Sequence, residues 1–291
     1  MKITLTGSLG NISKPLAKIL VGAGHQVTII SSNADKVKEI EEIGATPAIG
    51  SVDDTDFLTR AFTGADAVYT MCPPSYSTLD YRAYIAGTGS KFAAAIQASG
   101  VTRVVNLSSI GAHLPDGTGP IKGLYDVEQL FNKLENVSVK HMRPAYFYIN
   151  FYGNIDMIKH AGIIGANYSD STSMIMVHPK DIALAIAEEI QQPFTGKSVR
   201  YVTSDIRTAA EVAAILGNAA GKPDLKWVEF TDEQALAGMM DAGLPQEIAR
   251  NYVEMGTAIK SGILWEDFNQ NKPVFSATKL EDFAKEFAGS F

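Results

Sequence analysis

Apolar positions alternate at Ile3 and Leu5, pass through the turn Gly7-Ser8-Leu9-Gly10-Asn11-Ile12-Ser13, and then change period. Leu16, Ile19, Leu20 and Ala23 recur at three and four residues, so one face of a helix is apolar. Pro15 suits its first turn, where a missing N–H costs nothing. Gly22 and Gly24 end that helix, and residues 25–30 return to a strand pattern. The alternation continues with helices over 34–43, 56–62, 80–99 and 125–134, and strands over 46–50, 67–71, 104–107 and 137–142. Pro73 and Pro74 stop the fourth strand, because proline cannot donate to a ladder. Six strand–helix repeats of this kind predict an α/β fold with a doubly wound parallel sheet.

Beyond Arg143 the rhythm loosens. Residues 146–152 are aromatic-dense, 162–173 read as a loop, and 173–177 as a strand. A proline-started amphipathic helix over 179–187 and a last strand over 198–203 follow. From residue 208 the pattern is mostly helical, with a short strand at 227–230 and a final helix at 278–287. The expected division is a main domain over 1–150, with 174–204 returning to it, and a smaller C-terminal domain of 151–173 and 205–291.

Composition narrows the class. With 46% hydrophobic residues in 291, the chain can bury a sizeable core. A net charge of −7 argues against a broad nucleic-acid or acidic-membrane surface, so neither partner is expected. The single cysteine, Cys72, allows no internal disulfide, and the N-terminus has no signal-peptide pattern. No apolar run reaches the length of a bilayer span. A cytoplasmic globular protein is expected, and the five histidines have no metal-ligand spacing.

A strand–glycine turn–helix unit points backbone N–H groups and a helix N-terminus at a pyrophosphate. The spacing Gly7-x-x-Gly10-x-x-Ser13 departs from the G-x-G-x-x-G dinucleotide fingerprint at its third glycine. In an open α/β sheet, ligands sit beyond the strands' carboxyl ends. That rule selects Gly7, Ser8, Leu9, Gly10, Asn11, Ile12, Ser31, Ser32, Asn33, Lys36, Ser51, Val52, Met71, Cys72, Pro73, Ser108, Pro144, Tyr146 and Phe147 for a cofactor. At the second strand's end, hydroxyls and Lys36 stand where a carboxylate would bind a ribose diol, which favours NADP(H) over NAD(H). Ser32-Asn33 equally suits a cap for the next helix. Ser109 and Tyr125 are the candidate catalytic hydroxyls, with Tyr125 and Tyr148 as pocket walls. Gln129, not lysine, stands four residues after Tyr125, so no cation there lowers the phenol's pKa. Residues 111–123 hold four glycines and two prolines and read as a loop over the sheet's working edge.

Together the opening Thr6-Gly-Ser-Leu-Gly-Asn-Ile-Ser13, Ser31-Ser-Asn-Ala-Asp-Lys36, Gly64-Ala-Asp-Ala-Val68, Val105-Asn-Leu-Ser-Ser109, Met142-Arg-Pro-Ala-Tyr-Phe147 and Val177-His-Pro-Lys-Asp-Ile-Ala183 resemble the NmrA-like family. That family is an atypical branch of the short-chain dehydrogenase/reductase superfamily. The resemblance spans about the first 190 residues and implies an NAD(P)-binding Rossmann domain with a small substrate domain. Some such proteins are NAD(P)H-dependent reductases of quinones, dyes or phenylpropanoids. Others bind the dinucleotide without evident turnover and regulate through a protein partner. The leading expectation is an NAD(P)H-dependent oxidoreductase acting on a small conjugated acceptor such as a quinone. The alternative is a non-catalytic sensor acting through a protein partner. Two departures bear on it: Ser13 replaces a glycine, implying looser helix–strand packing or an altered pyrophosphate fit, and Ser31-Ser32 replaces an arginine often found there.

Overall fold

The computed structural model describes all residues, Met1–Phe291. Its main sheet is built from β1 (Lys2–Leu5), β2 (Gln26–Ser31), β3 (Thr46–Ile49), β4 (Ala67–Thr70), β5 (Arg103–Leu107) and β6 (Ser138–Pro144). Between them run α1 (Ser13–Gly22), α2 (Val37–Glu42), α3 (Thr55–Phe62), α4 (Tyr81–Ser99) and α5 (Lys122–Asn132). Then come β7 (Tyr146–Phe147), α6 (Ile155–Ala161), β8 (Ile163–Ala166), β9 (Ser173–Val177), α7 (Pro179–Gln191), β10 (Lys197–Val202) and β11 (Asp205–Thr208). The chain ends with α8 (Ala209–Ala219), β12 (Lys226–Glu229), α9 (Asp232–Asp241), α10 (Gln246–Ser261), α11 (Glu266–Gln270) and α12 (Leu280–Ala288).

Seven strands form a parallel sheet in the order β10-β6-β5-β4-β1-β2-β3, the doubly wound arrangement that the alternation predicts. Helices α3, α4 and α5 cover one face, and α1 and α7 the other. Period-two alternation sends neighbouring residues to opposite layers: Ile29, Tyr69 and Val105 enter the larger hydrophobic cluster, and Ile30, Val68 and Val104 the smaller one. The larger cluster runs without a break from α1 and α7 to Trp265, Leu280 and Phe287 in the C-terminal region.

Three sequence expectations change. Within 174–204, β10 adds to the large sheet beside β6, but β9 pairs with β7 and β11 in a separate three-stranded sheet. Residues 163–166, read as loop, form β8, whose parallel partner β12 lies 60 residues away in sequence and leaves no local signal. Helix α5 starts at Lys122, not at residue 125, and Lys122 is tied to Glu254 of α10 at 2.7 Å. No helix is long and apolar enough to cross a membrane.

Candidate functional site

The turn between β1 and α1 is built for close approach. Gly7 and Ser8 both take positive φ, 86° and 52°, the left-handed region where glycine is least strained. A Cβ on Gly7 would stand 2.5 Å from Ser13 Oγ and 2.9 Å from Met71 Cγ. Helix α1 has no side-chain cap and no acid in its first turn. The N–H groups of Asn11, Ile12 and Ser13 find no acceptor in the protein. Several free donors at a ten-residue helix's positive end fit a pyrophosphate. The packing expected to loosen at Ser13 does not: this side chain is 2% exposed, and its hydroxyl donates to Thr6 O at 2.9 Å, tying α1 to the end of β1.

At the end of β2, Ser31 is buried and its hydroxyl is spent within the turn, accepting from Ser8 Oγ at 2.9 Å and Asn33 N at 3.2 Å. It shapes the turn and has no free donor for a phosphate. Ser32 is exposed, and the Asn33 side chain accepts from Asp35 N–H at 2.8 Å, the capping role. Lys36 meets Glu39 at 3.0 Å, and Lys14 meets the same carboxylate at 2.6 Å. The Lys14 hydrogen bond, then that of Lys36, hold the Glu39 pKa below its usual value. Lys14 thus joins Lys36 in space, although its position in α1's first turn carries no sequence motif.

Across the crevice, Val52 packs on the smaller cluster, and the Ser51 hydroxyl accepts from Asp53 N–H at 3.0 Å. Met71 N–H donates to Thr6 Oγ1 at 2.8 Å, fixing the end of β4 against the glycine turn. Pro73 lies half-buried just after it. Burial pushes the Cys72 thiol pKa up to about 12, so this cysteine is inert at neutral pH. Ser109 is half-buried and its hydroxyl has no internal partner. Pro144 is buried and its carbonyl accepts from Ile110 N–H at 2.9 Å. Burial pushes the Tyr146 pKa up to about 12, and Phe147 packs partly buried beside the larger cluster.

Two expected ligand contacts prove internal. Tyr148 is fully buried, stacked on Phe283 with centroids 5.5 Å apart, and its hydroxyl donates to Thr278 O at 3.3 Å. A 3-10 turn over Tyr148–Asn154 rolls it away from the crevice into the core, so it is no pocket wall. Ser108 is 3% exposed and donates to Glu128 Oε1 at 2.5 Å. Tyr125 has no hydrogen-bond partner among side chains, and its helical stripe continues through Gln129 and Asn132. Those two line a cavity of about 860 Å3 beside β10, with Arg143, Tyr201 and Asp267.

Glu128 anchors a buried polar network beneath these strand ends. Arg143 Nε and Nη2 donate to its two oxygens at 2.9 and 2.6 Å, and Nη1 reaches Tyr201 and Asp267. Nearby, His141 is 1% exposed between Asn106 and Asn132. Burial drives its pKa down to about 4. The folded protein therefore resists a proton that the unfolded chain accepts near pH 6.5. Stability should fall on acidification between those values at about 1.4 kcal/mol per pH unit, or about 2 kcal/mol by pH 5. Urea unfolding of wild type and His141→Gln from pH 7 to 5 checks this; an unchanged acid slope in the variant would assign the decline to other groups.

Residues 7–141 match the NAD(P)H-binding family, covering the glycine turn and the first five strand ends. This match agrees with the NAD(P)-binding domain that the family resemblance implies for the N-terminal part of the chain. The chain is 25% identical over 248 residues to the NAD(P)H azoreductase of Xenophilus azovorans, covering 85% of this chain and 83% of that protein. An NADPH-dependent quinone oxidoreductase from Escherichia coli, solved with NADPH, superposes with a TM-score of 0.83 at 19% identity, covering 98% of this chain and 99% of that one. The triphenylmethane reductase of Citrobacter sp. gives 0.82 at 20%, covering 99% and 100%. At these identities the two structures establish the shared fold.

Sequence reasoning missed Lys14, and also Tyr76, Tyr81 and Tyr252. The Tyr76 hydroxyl stands 3.4 Å from that of Tyr252 in α10, 176 residues away. No local pattern reports such a meeting.

Proposed function

We propose that the protein is an NADPH-preferring reductase of a small, flat, conjugated acceptor such as a quinone. The observation that carries this reading is the glycine turn, with three unsatisfied N–H groups aimed where a pyrophosphate fits. When bound, the reduced nicotinamide supplies the hydride. The turn from Gly7 to Ile12 would hold the pyrophosphate, and Lys14, Ser32 and Lys36 the 2′-phosphate. Ser51 and Val52 would flank the adenosine half, and Met71, Pro73, Ser109, Pro144 and Tyr146 the nicotinamide half. The azoreductase and quinone reductase relatives support the acceptor class. Ser109, with a hydroxyl free of internal partners, is the candidate to orient the acceptor or the carboxamide. Tyr125, one turn before the cavity-lining Gln129 on the same helical stripe, is assigned a wall role. Residues 151–173 and 205–291 would form the acceptor side of the crevice.

Thermal and urea unfolding with each dinucleotide tests the cofactor. A ligand at a hundred times its Kd adds about 2.7 kcal/mol. NADPH is expected to shift the transition more than NADH at equal concentration, and a Lys14→Gln/Lys36→Gln variant should erase the difference. Equal shifts in wild type would reject the NADPH preference, and no shift with either would reject the reading. A shift without oxidation across a quinone and azo-dye panel would replace it with dinucleotide sensing.

A further inference from the structure

Four tyrosines meet beyond the sheet's C-terminal edge. Tyr76 lies in the loop after β4, Tyr81 opens α4, Tyr146 follows β6, and Tyr252 comes from α10. Burial first, then the phenols of Tyr76, Tyr81 and Tyr146, oppose ionisation of Tyr252, which places those three within electrostatic reach of Tyr252. None of the groups acting on Tyr252 carries a charge at neutral pH. It keeps its proton and acts as a hydrogen-bond donor, not as an acid.

The sheet order puts β5 between β4 and β6. By this order the segments that follow β4 and β6, which carry Tyr76 and Tyr146, lie on either side of the segment that follows β5, where Ser109 keeps a free hydroxyl. The Tyr76 and Tyr252 hydroxyls stand 3.4 Å apart, beyond the usual O–H···O range, so each retains capacity for another partner. Tyr76 is 52% exposed, so that partner is reachable from solvent. Helix α10 is held firmly at this point. Its Asn251 carbonyl packs on Gly119, and its Glu254 pairs with Lys122 at 2.7 Å.

We propose that Tyr76 and Tyr252 are the acceptor-binding pair, their hydroxyls holding a carbonyl oxygen of a neutral, flat, quinone-class acceptor over the Ser109 end of β5. This rests on the reductase reading above. The arrangement suits that class because the phenols offer aromatic faces and neutral donors with no charge to desolvate. The pair positions the acceptor and transfers nothing itself.

The test compares wild type, Tyr252→Phe and Tyr76→Phe, each of which keeps its ring. For menadione, both KM with saturating NADPH and the Kd for NADP+-loaded protein are measured. Loss of one neutral hydrogen bond should raise both about three- to tenfold, with kcat within about twofold and the NADPH Kd unchanged. Exposed Tyr76→Phe serves as the second variant should Tyr252→Phe fold poorly. Menadione KM and Kd within about twofold of wild type in both variants, while wild type turns over, would overturn the pair and leave the reductase reading standing. Wild type that binds NADPH but neither binds nor reduces menadione would instead remove that reading, and the acceptor-binding pair with it.

Discussion

Glu128→Ala is expected to destabilise the protein by about 3–5 kcal/mol, the cost of leaving a buried charge without its partner. Arg143 and Glu128 have side chains only 9% and 2% exposed, so water from the adjoining cavity replaces the missing carboxylate only in part. Ser108 loses its acceptor as well. Asp267, 32% exposed and 3.1 Å from Arg143, compensates only in part. The double variant Glu128→Leu/Arg143→Met should recover most of the loss, because an apolar pair of similar volume often matches a buried ion pair. Urea midpoints of the three variants decide it. A loss below about 1 kcal/mol for Glu128→Ala would mean that the network is effectively solvated. Because Arg143 directly precedes Pro144 and stands three residues before Tyr146, NADPH affinity is expected to weaken with the same variant.

Gly119→Ala should cost about 2–5 kcal/mol, although it adds a single methyl group. Gly119 has φ +60°, and a Cβ there would lie 1.9 Å from the Asn251 carbonyl oxygen. That neighbour is backbone of α10 and cannot swing aside as a side chain would. Left-handed strain contributes about 1–2 kcal/mol and overpacking about 1–3 kcal/mol more. Gly117 is the internal control: it has φ +76° in the same loop, but nothing within 4 Å of its Cβ position. Gly117→Ala should therefore carry the strain alone. Equal losses in the two variants would show that the contact with α10 contributes nothing. The pairing also sharpens the role of residues 111–123, whose glycines and prolines read as a loop over the sheet's working edge. The segment is a strut between β5 and α10 that carries Asn251 and hence Tyr252 into place.

The strand–turn–helix unit at the start of the chain was legible from sequence because its physics is local. A glycine with positive φ, a strand before it and an apolar helical stripe after it all fall within twenty residues. The surroundings of the later strand ends were not. Tyr148 and Tyr146 stand two residues apart in one aromatic run, yet one is a core ring and the other faces the crevice cluster. Only the 3-10 turn at Tyr148–Asn154 separates those fates, and aromatic spacing alone does not announce it. Ser108 and Ser109 are adjacent and chemically alike. Their roles divide because Glu128, brought by α5, captures one hydroxyl and leaves the other free.

By itself, then, the amino-acid sequence determined the parallel α/β sheet and the glycine turn with the helix N-terminus that follows it. Hydrophobic period and turn chemistry are encoded between near neighbours and survive without tertiary context. Only the tertiary structure decided which polar groups are spent inside and which remain to meet a ligand. It paired Arg143 with Asp267, Lys14 with Lys36 through Glu39, and Tyr76 with Tyr252. Those partners are chosen by how helices and strands register across a shared core, where a displacement of one residue turns a side chain to the opposite face.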